Sequence, residues 1–319
     1  METIHYSRCR VIPTPTCLAV QLGLMAGTER VRIELGDYNH QEDRLWMRHA
    51  GHAKAMWARA QGASTRLVAF SGYECSEPVY VRDDSPIRTA AGLRGRRVPL
   101  PRVPGRPFDV DREVFLKPLS TCLASAGLAM ADVTVVDVDF DREKRCDMEP
   151  EATHFFEQAA HRFCIMLERG EVDAIVTALP EETVANLGLR RIYDSREDPA
   201  PRARGELRTV TVSQALLDEH REVVVDMLAR LLRAEKWAAR HPQQIAGLVE
   251  RDLGISPGLY RARGLDFPGW SRLHCSPADL ALLAERERML RDHGTITREV
   301  DIAGWIDGSV LEDARRIAA

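Results

Sequence analysis

The hydrophobic pattern changes period several times along the first third of the chain. Thr3 to Ser7, Val31 to Leu35 and Arg66 to Ser71 are short runs that read as strands. Between them, Pro15 to Ala26 carries apolar residues on a helical period. Glu42 to Ala60 sets Trp46, Met47, Met56 and Trp57 among good helix formers, so a second helix is predicted there. Strands alternating with helices predict a mainly parallel sheet. At Val79 to Pro86 a short extended run meets turn residues, and Leu93-Arg94-Gly95-Arg96-Arg97-Val98 opens a new unit.

A second alternating series follows, with a strand at Val133 to Val138, a helix at His154 to Arg169 and a buried strand at Val172 to Val176. The Pro-, Arg- and Gly-rich stretch Asp198 to Gly205 reads as a loop. Beyond Thr209 the pattern is almost wholly helical, periodic over Leu216 to Arg240, Pro242 to Leu253 and Pro277 to His293. An α/β unit, a second α/β unit and then returning helices predict two lobes. The expected division is a discontinuous first lobe of residues 1–86 and 196–319, with residues 87–195 inserted as the second. A small ligand is expected in the cleft between such lobes.

Composition narrows the function. The 319 residues are 45% apolar and 29% charged, as in an ordinary soluble protein, and the formal charge of −4 is spread along the chain. With no basic patch to neutralise phosphates, nucleic acid is not an expected partner. The first ten residues, beginning Met1-Glu2-Thr3, contain no apolar run of signal-peptide or membrane-span length, so neither export nor membrane association is expected. Seven cysteines (Cys9, Cys17, Cys75, Cys122, Cys146, Cys164, Cys275) are scattered without a Cys-x-x-Cys pair. They read as reduced thiols of a cytoplasmic protein rather than a disulfide framework or zinc site. His49 and His52, on the helix predicted there, have metal-pair spacing but no carboxylate or cysteine at ligand spacing beside them, so no metal is expected. Gly92 and Gly95 lack the remaining residues of a phosphate loop, and nucleotide binding is set aside.

The phrase Val81-Arg82-Asp83-Asp84-Ser85-Pro86-Ile87, a later leucine and Gly95-Arg96-Arg97-Val98 resemble the entry to the second lobe in the sulfonate, taurine and thiamine-precursor solute-binding proteins. That resemblance implies an α/β fold of the two-lobed, type II periplasmic-binding-protein kind with a hinged interdomain cleft. Tyr6-Ser7-Arg8-Cys9, His40 and Arg48-His49-Ala50-Gly51 narrow it further. Together with the Arg82 to Pro86 phrase they resemble, in order along nearly the whole chain, the 2'-hydroxybiphenyl-2-sulfinate desulfinases, which remove sulfite from an aryl sulfinate. The resemblance implies a catalytic Cys9, a partner histidine at His40, a sulfinate-binding Arg48 and a backbone N–H from Gly51. Ala50 stands where that family has a glycine. No aromatic lining for a biphenyl is evident in the sequence.

The chemistry agrees with these residue types. A sulfinate is a compact anion, and a planar guanidinium can give it two parallel hydrogen bonds. A cysteine just after the first strand falls where an α/β sheet presents residues to ligand, and a nearby imidazole can take its proton. Ser7 and Ser71-Gly72-Tyr73, at strand ends, are further candidates for lining the substrate site. The plainer readings are a buried apolar thiol for Cys9, a solvated loop for His40 and an exposed helix face for Arg48. The expectation is a cofactor-independent, cytoplasmic, cysteine-dependent enzyme that breaks a carbon–sulfur bond in a small anionic substrate as a monomer or weak homodimer. Alternatives are an intracellular binding or sensor protein for a small organic anion, or another lyase built on the solute-binding fold.

Overall fold

A computed structural model describes residues 2–9, 13–28, 31–36, 44–73, 75–140, 155–200, 203, 205–265 and 268–318. The strands in chain order are β1 (Glu2–Arg8), β2 (Val31–Gly36), β3 (Trp46–Gly51), β4 (Thr65–Tyr73), β5 (Pro78–Arg82), β6 (Arg97–Arg102), β7 (Thr134–Asp139), β8 (Ile175–Val176), β9 (Leu189–Asp194), β10 (Glu206–Ser213) and β11 (Leu273–His274). The chain divides into two compact units, residues 1–73, 206–253 and 266–319 in the first and residues 74–205 and 254–265 in the second. Residues 74–86 and 196–205, assigned to the first lobe from sequence, lie in the second unit. The reason is pairing, because β5 is the central strand of a sheet ordered β8-β5-β9. Residues 254–265 also belong there, with Ser76 N–H donating to Arg263 O across 3.2 Å.

The first unit is built on a six-stranded sheet ordered β11-β4-β10-β3-β1-β2. It is mixed rather than mainly parallel. β1 runs parallel to β2 and β3, but β10 returns from late in the chain to lie antiparallel between β3 and β4. The segment beyond Thr209 is therefore not wholly helical at its start. The predicted helix from Glu42 to Ala60 is also corrected, since Trp46–Gly51 is strand β3 and only His52–Ala60 (α2) is helix. β3 lies between two other strands and is buried from Trp46 to Ala50, so it lacks the polar–apolar alternation that marks a half-exposed strand.

In β4, Val210 faces Ala69 but Thr211 faces Leu67, which makes Val68 the extra residue of a β-bulge. That one residue resets the alternation and brings Leu67 and Phe70 to the same face. Both join a core with Met56, Leu207, Leu283, Leu290 and Trp305. The Trp305 indole N–H donates to Thr65 Oγ1 across 2.9 Å, so its burial leaves no polar atom stranded. Burial of each large side chain here contributes about 1.5–3 kcal/mol. Helices Arg221–Arg240, Pro242–Leu253 and Pro277–Asp292 follow the periodicity read from sequence, the last started by a Ser276 and Asp279 capping box.

The second unit contains the β8-β5-β9 sheet, the parallel pair β6 and β7, helix α3 (Val110–Ser125) and helix Phe155–Glu168. Its core gathers Phe115, Phe140, Phe155, Phe156 and Phe163 in tilted and edge-to-face contacts, with centroids 5.4–6.4 Å apart. Lys117 of α3 forms a buried ion pair with Glu77. No described helix is long and apolar enough to cross a membrane.

Candidate functional site

The strand directions bring several candidates to one edge of the first unit's sheet. β1 and β3 are parallel, and β4 shares their direction because both β3 and β4 pair antiparallel with β10. The carboxyl ends of β1, β3 and β4, at Cys9, Gly51 and Tyr73, therefore lie together with the start of β10. In open α/β sheets this is the edge where ligands bind. The Cys9 amide donates to His49 O across 2.9 Å, extending the β1–β3 ladder one residue past the strand. Ser7 stands opposite Arg48, and Arg48 opposite Thr211, so Ser7 and Arg48 share a face. Continued alternation puts Cys9 on that face as well.

Arg48 is 8% exposed, and its Nη1 donates to Gly51 O across 3.3 Å, holding the guanidinium at the strand end. Gly51 closes β3 and is the N-cap of α2, whose positive end favours an anion. Arg48 is thus on a strand, and not on one helix with His49 and His52 as the sequence pattern suggested.

On the opposite face lies a buried polar row that sequence reasoning did not resolve. The Tyr6 hydroxyl is 2.7 Å from Thr16 Oγ1, Thr16 Oγ1 is 3.0 Å from His49 Nδ1, and His49 Nε2 is 2.8 Å from Ser71 Oγ. Thr16 lies in helix α1 (Pro15–Gln21), so the row ties β1, α1, β3 and β4 together. Burial, with Arg208 and Arg48 nearby, holds the His49 pKa down at about 3. His49 is therefore neutral near pH 7. Both His49 ring nitrogens are within hydrogen-bond distance of hydroxyls, and His52 Nδ1 is 3.0 Å from Leu207 O. Among the described residues no group of three or more His, Cys, Asp or Glu could hold a metal ion.

The remaining candidates are placed as follows. Ser7 is 2% exposed beside Arg48, and Ser71 is fully buried with its hydroxyl engaged by His49. Gly72 and Tyr73 are the last two residues of β4. His40 lies outside the described residues. Cys9 is partly exposed, in contrast to Cys17, which is fully buried and whose thiol burial pushes up to about 12. One residue escaped the sequence reading altogether. Arg208, at the start of β10, stands opposite both Gly51 and Ser71 and is 4% exposed. An arginine set in the same alternation as Val210 and Val212 was the available signal.

Fold and strand-edge site together define the class: the chain has the type II periplasmic-binding-protein-like fold. Its sequence is similar to 2'-hydroxybiphenyl-2-sulfinate desulfinase of Rhodococcus erythropolis and of Rhodococcus qingshengii. Each is 25% identical over 353 aligned positions, covering 98% of this chain and 93% of the relative. The crystal structure of the desulfurization enzyme DSZB superposes with a TM-score of 0.76 at 21% identity, covering 100% of both chains. A cysteine-to-serine mutant of DSZB, crystallised with biphenyl-2-sulfinic acid, gives 0.75 at 22% identity and 99% coverage of each. The periplasmic aliphatic sulphonate binding protein SsuA of Escherichia coli gives 0.69 at 17% identity, covering 98% of this chain and 99% of its own. No family model matches the chain.

Proposed function

We propose that the protein is a desulfinase-like enzyme that cleaves the carbon–sulfur bond of a small sulfinate, aromatic by analogy with its relatives, and releases sulfite. The observation that supports the reading is the pairing of β1 with β3, in which Ser7 lies opposite Arg48 and the Cys9 amide bonds to His49 O, in a chain similar to the desulfinases over 98% of its length. Arg48 holds the sulfinate oxygens, and the α2 N-terminus at Gly51 adds favourable potential. Water and an aryl sulfinate give the arene and hydrogen sulfite, a balance that needs no cofactor.

Two routes reach those products. In one, the Cys9 thiolate attacks sulfur, the aryl carbon leaves with a proton, and water hydrolyses the cysteinyl–sulfonyl bond. In the other, the Cys9 thiol protonates the ring carbon, sulfur dioxide departs and is hydrated, and the thiolate recovers its proton from water. His40 is the proposed proton-handling partner, and Ser7, Gly72 and Tyr73 are proposed to line the substrate. The scattered cysteines, with no Cys-x-x-Cys pair, support the proposed cytoplasmic location.

The test is sulfite release from a panel of aryl sulfinates by the wild type and by Cys9→Ser. Release by the first, and a loss of several orders of magnitude in the second with binding retained, is expected. Undiminished turnover by Cys9→Ser would remove the cysteine mechanism. A wild type that binds an anion and never converts it would instead be a binding or sensor protein, the reading that the likeness to SsuA favours.

A further inference from the structure

We propose that Arg208 is a second anion-binding residue of the site, facing Arg48 across Gly51, so that two guanidiniums share one oxyanion. The inference deepens the sulfinate reading above and rests on it. Alternation puts Arg48 on one face of the sheet and Arg208 on the other, since on β3 Arg48 pairs with Thr211 of β10 while Arg208 of β10 pairs with Gly51, three residues further along β3. Both heads nevertheless reach the same residue. Arg48 Nη1 is 3.3 Å from Gly51 O, and a Cβ built on Gly51 would lie 3.1 Å from Arg208 Nη1, with no other atom within 4 Å. Both arginines are more than nine-tenths buried.

Two buried like charges converging on one backbone position repel each other in a weakly screening environment. An oxyanion placed between them at the sheet edge turns that repulsion into attraction. Burial first, and then the charges of Arg208 and Arg48, lower the His49 pKa. Gly51 is then required for its missing side chain, because its backbone φ of −52° is open to any residue. One guanidinium can grip two oxygens of a carboxylate equally well. Two guanidiniums approaching from opposite faces suit a pyramidal sulfinate, whose oxygens lie out of the plane of its carbon substituent.

The experiment measures binding of benzenesulfinate and of the neutral methyl phenyl sulfone by calorimetry, on a Cys9→Ser background. Arg208→Met should weaken benzenesulfinate roughly ten- to a hundredfold and change the sulfone less than about twofold. Arg208→Lys should recover part of the loss. Gly51→Ala keeps every charge but crowds the Arg208 head, and should weaken the sulfinate several-fold, which preserves the test if Arg208→Met fails to fold. Unchanged sulfinate affinity in Arg208→Met, equal losses for sulfone and sulfinate, or wild-type affinity in both Arg208→Lys and Gly51→Ala would overturn the assignment. So would a Cys9→Ser protein that binds no sulfinate. Sulfite release by the wild type separates the two readings. Affinity lost on substituting Arg208 in a protein that releases no sulfite keeps the anion site and removes the desulfinase, whereas release with an Arg208→Met KM equal to wild type does the reverse.

Discussion

His49 makes a quantitative prediction about stability. Its ring is fully buried, engaged by Thr16 and Ser71, and its pKa falls from an ordinary 6.5 to about 3. Above pH 6.5 both folded and unfolded states hold it neutral, so its contribution does not vary there. Below 6.5 the unfolded chain takes up a proton that the folded chain refuses, and stability falls as pH is lowered toward 3. The slope approaches 1.4 kcal/mol per pH unit, so moving from pH 6.5 to pH 5 costs about 2 kcal/mol from this residue alone. His49→Gln retains a donor and an acceptor but does not titrate. Urea unfolding of both proteins between pH 5 and 7.5 should give the variant a shallower loss of stability on acidification, by about the same 2 kcal/mol, whatever its offset at pH 7. Parallel pH profiles would refute the assignment of His49 as a buried neutral group.

Three further outcomes are expected. Arg48→Ala should weaken sulfinate binding by about 1.5–3 kcal/mol in calorimetry while thermal unfolding moves little, because its head group lies at the strand end rather than in the apolar core. Lys117→Met should cost about 3–5 kcal/mol in urea unfolding by leaving Glu77 charged and buried, and adding Glu77→Leu should restore most of that loss. Trp305→Phe should cost about 1–3 kcal/mol, since the fully buried Thr65 loses its 2.9 Å donor.

Legibility in the sequence followed how local the determining contacts are. β1, β2 and β4 stood out because short apolar runs are bounded by turn residues, and the long C-terminal helices because one face is wet and the other buried. β3 was misread because a strand buried on both faces has no two-residue period, and Trp46, Met47, Met56 and Trp57 fall on helical spacing by coincidence. β10 was hidden for a related reason. Its place between β3 and β4 is decided by partners far away in sequence, and Leu207, Thr209, Val210, Thr211 and Val212 alone do not announce a central strand. The same distance hid Arg208, whereas Cys9 and Arg48 were singled out because they lie in short phrases that resemble those of a known family.

The division of labour at this sheet edge follows from how many backbone and side-chain groups each position must satisfy. One step inside the edge, at the level of His49, neighbouring strands consume the backbone donors and acceptors, and the hydroxyls of Thr16 and Ser71 consume the ring nitrogens. A group so satisfied is rigid and neutral, and it supports the strand without being able to change protonation during a reaction. One step further out, β1 has ended at Arg8 and β3 ends at Gly51, so Cys9 and the arginine heads lie where the ladder no longer claims every group. Charge and reactivity are cheaper to hold there than inside. Substitutions in the Tyr6, Thr16, His49 and Ser71 row should therefore register chiefly as lost stability, and substitutions at Cys9, Arg48 and Arg208 chiefly as lost chemistry or binding. A His49 variant with normal stability and abolished turnover would place the boundary between frame and reactive groups one residue deeper than the hydrogen bonding implies.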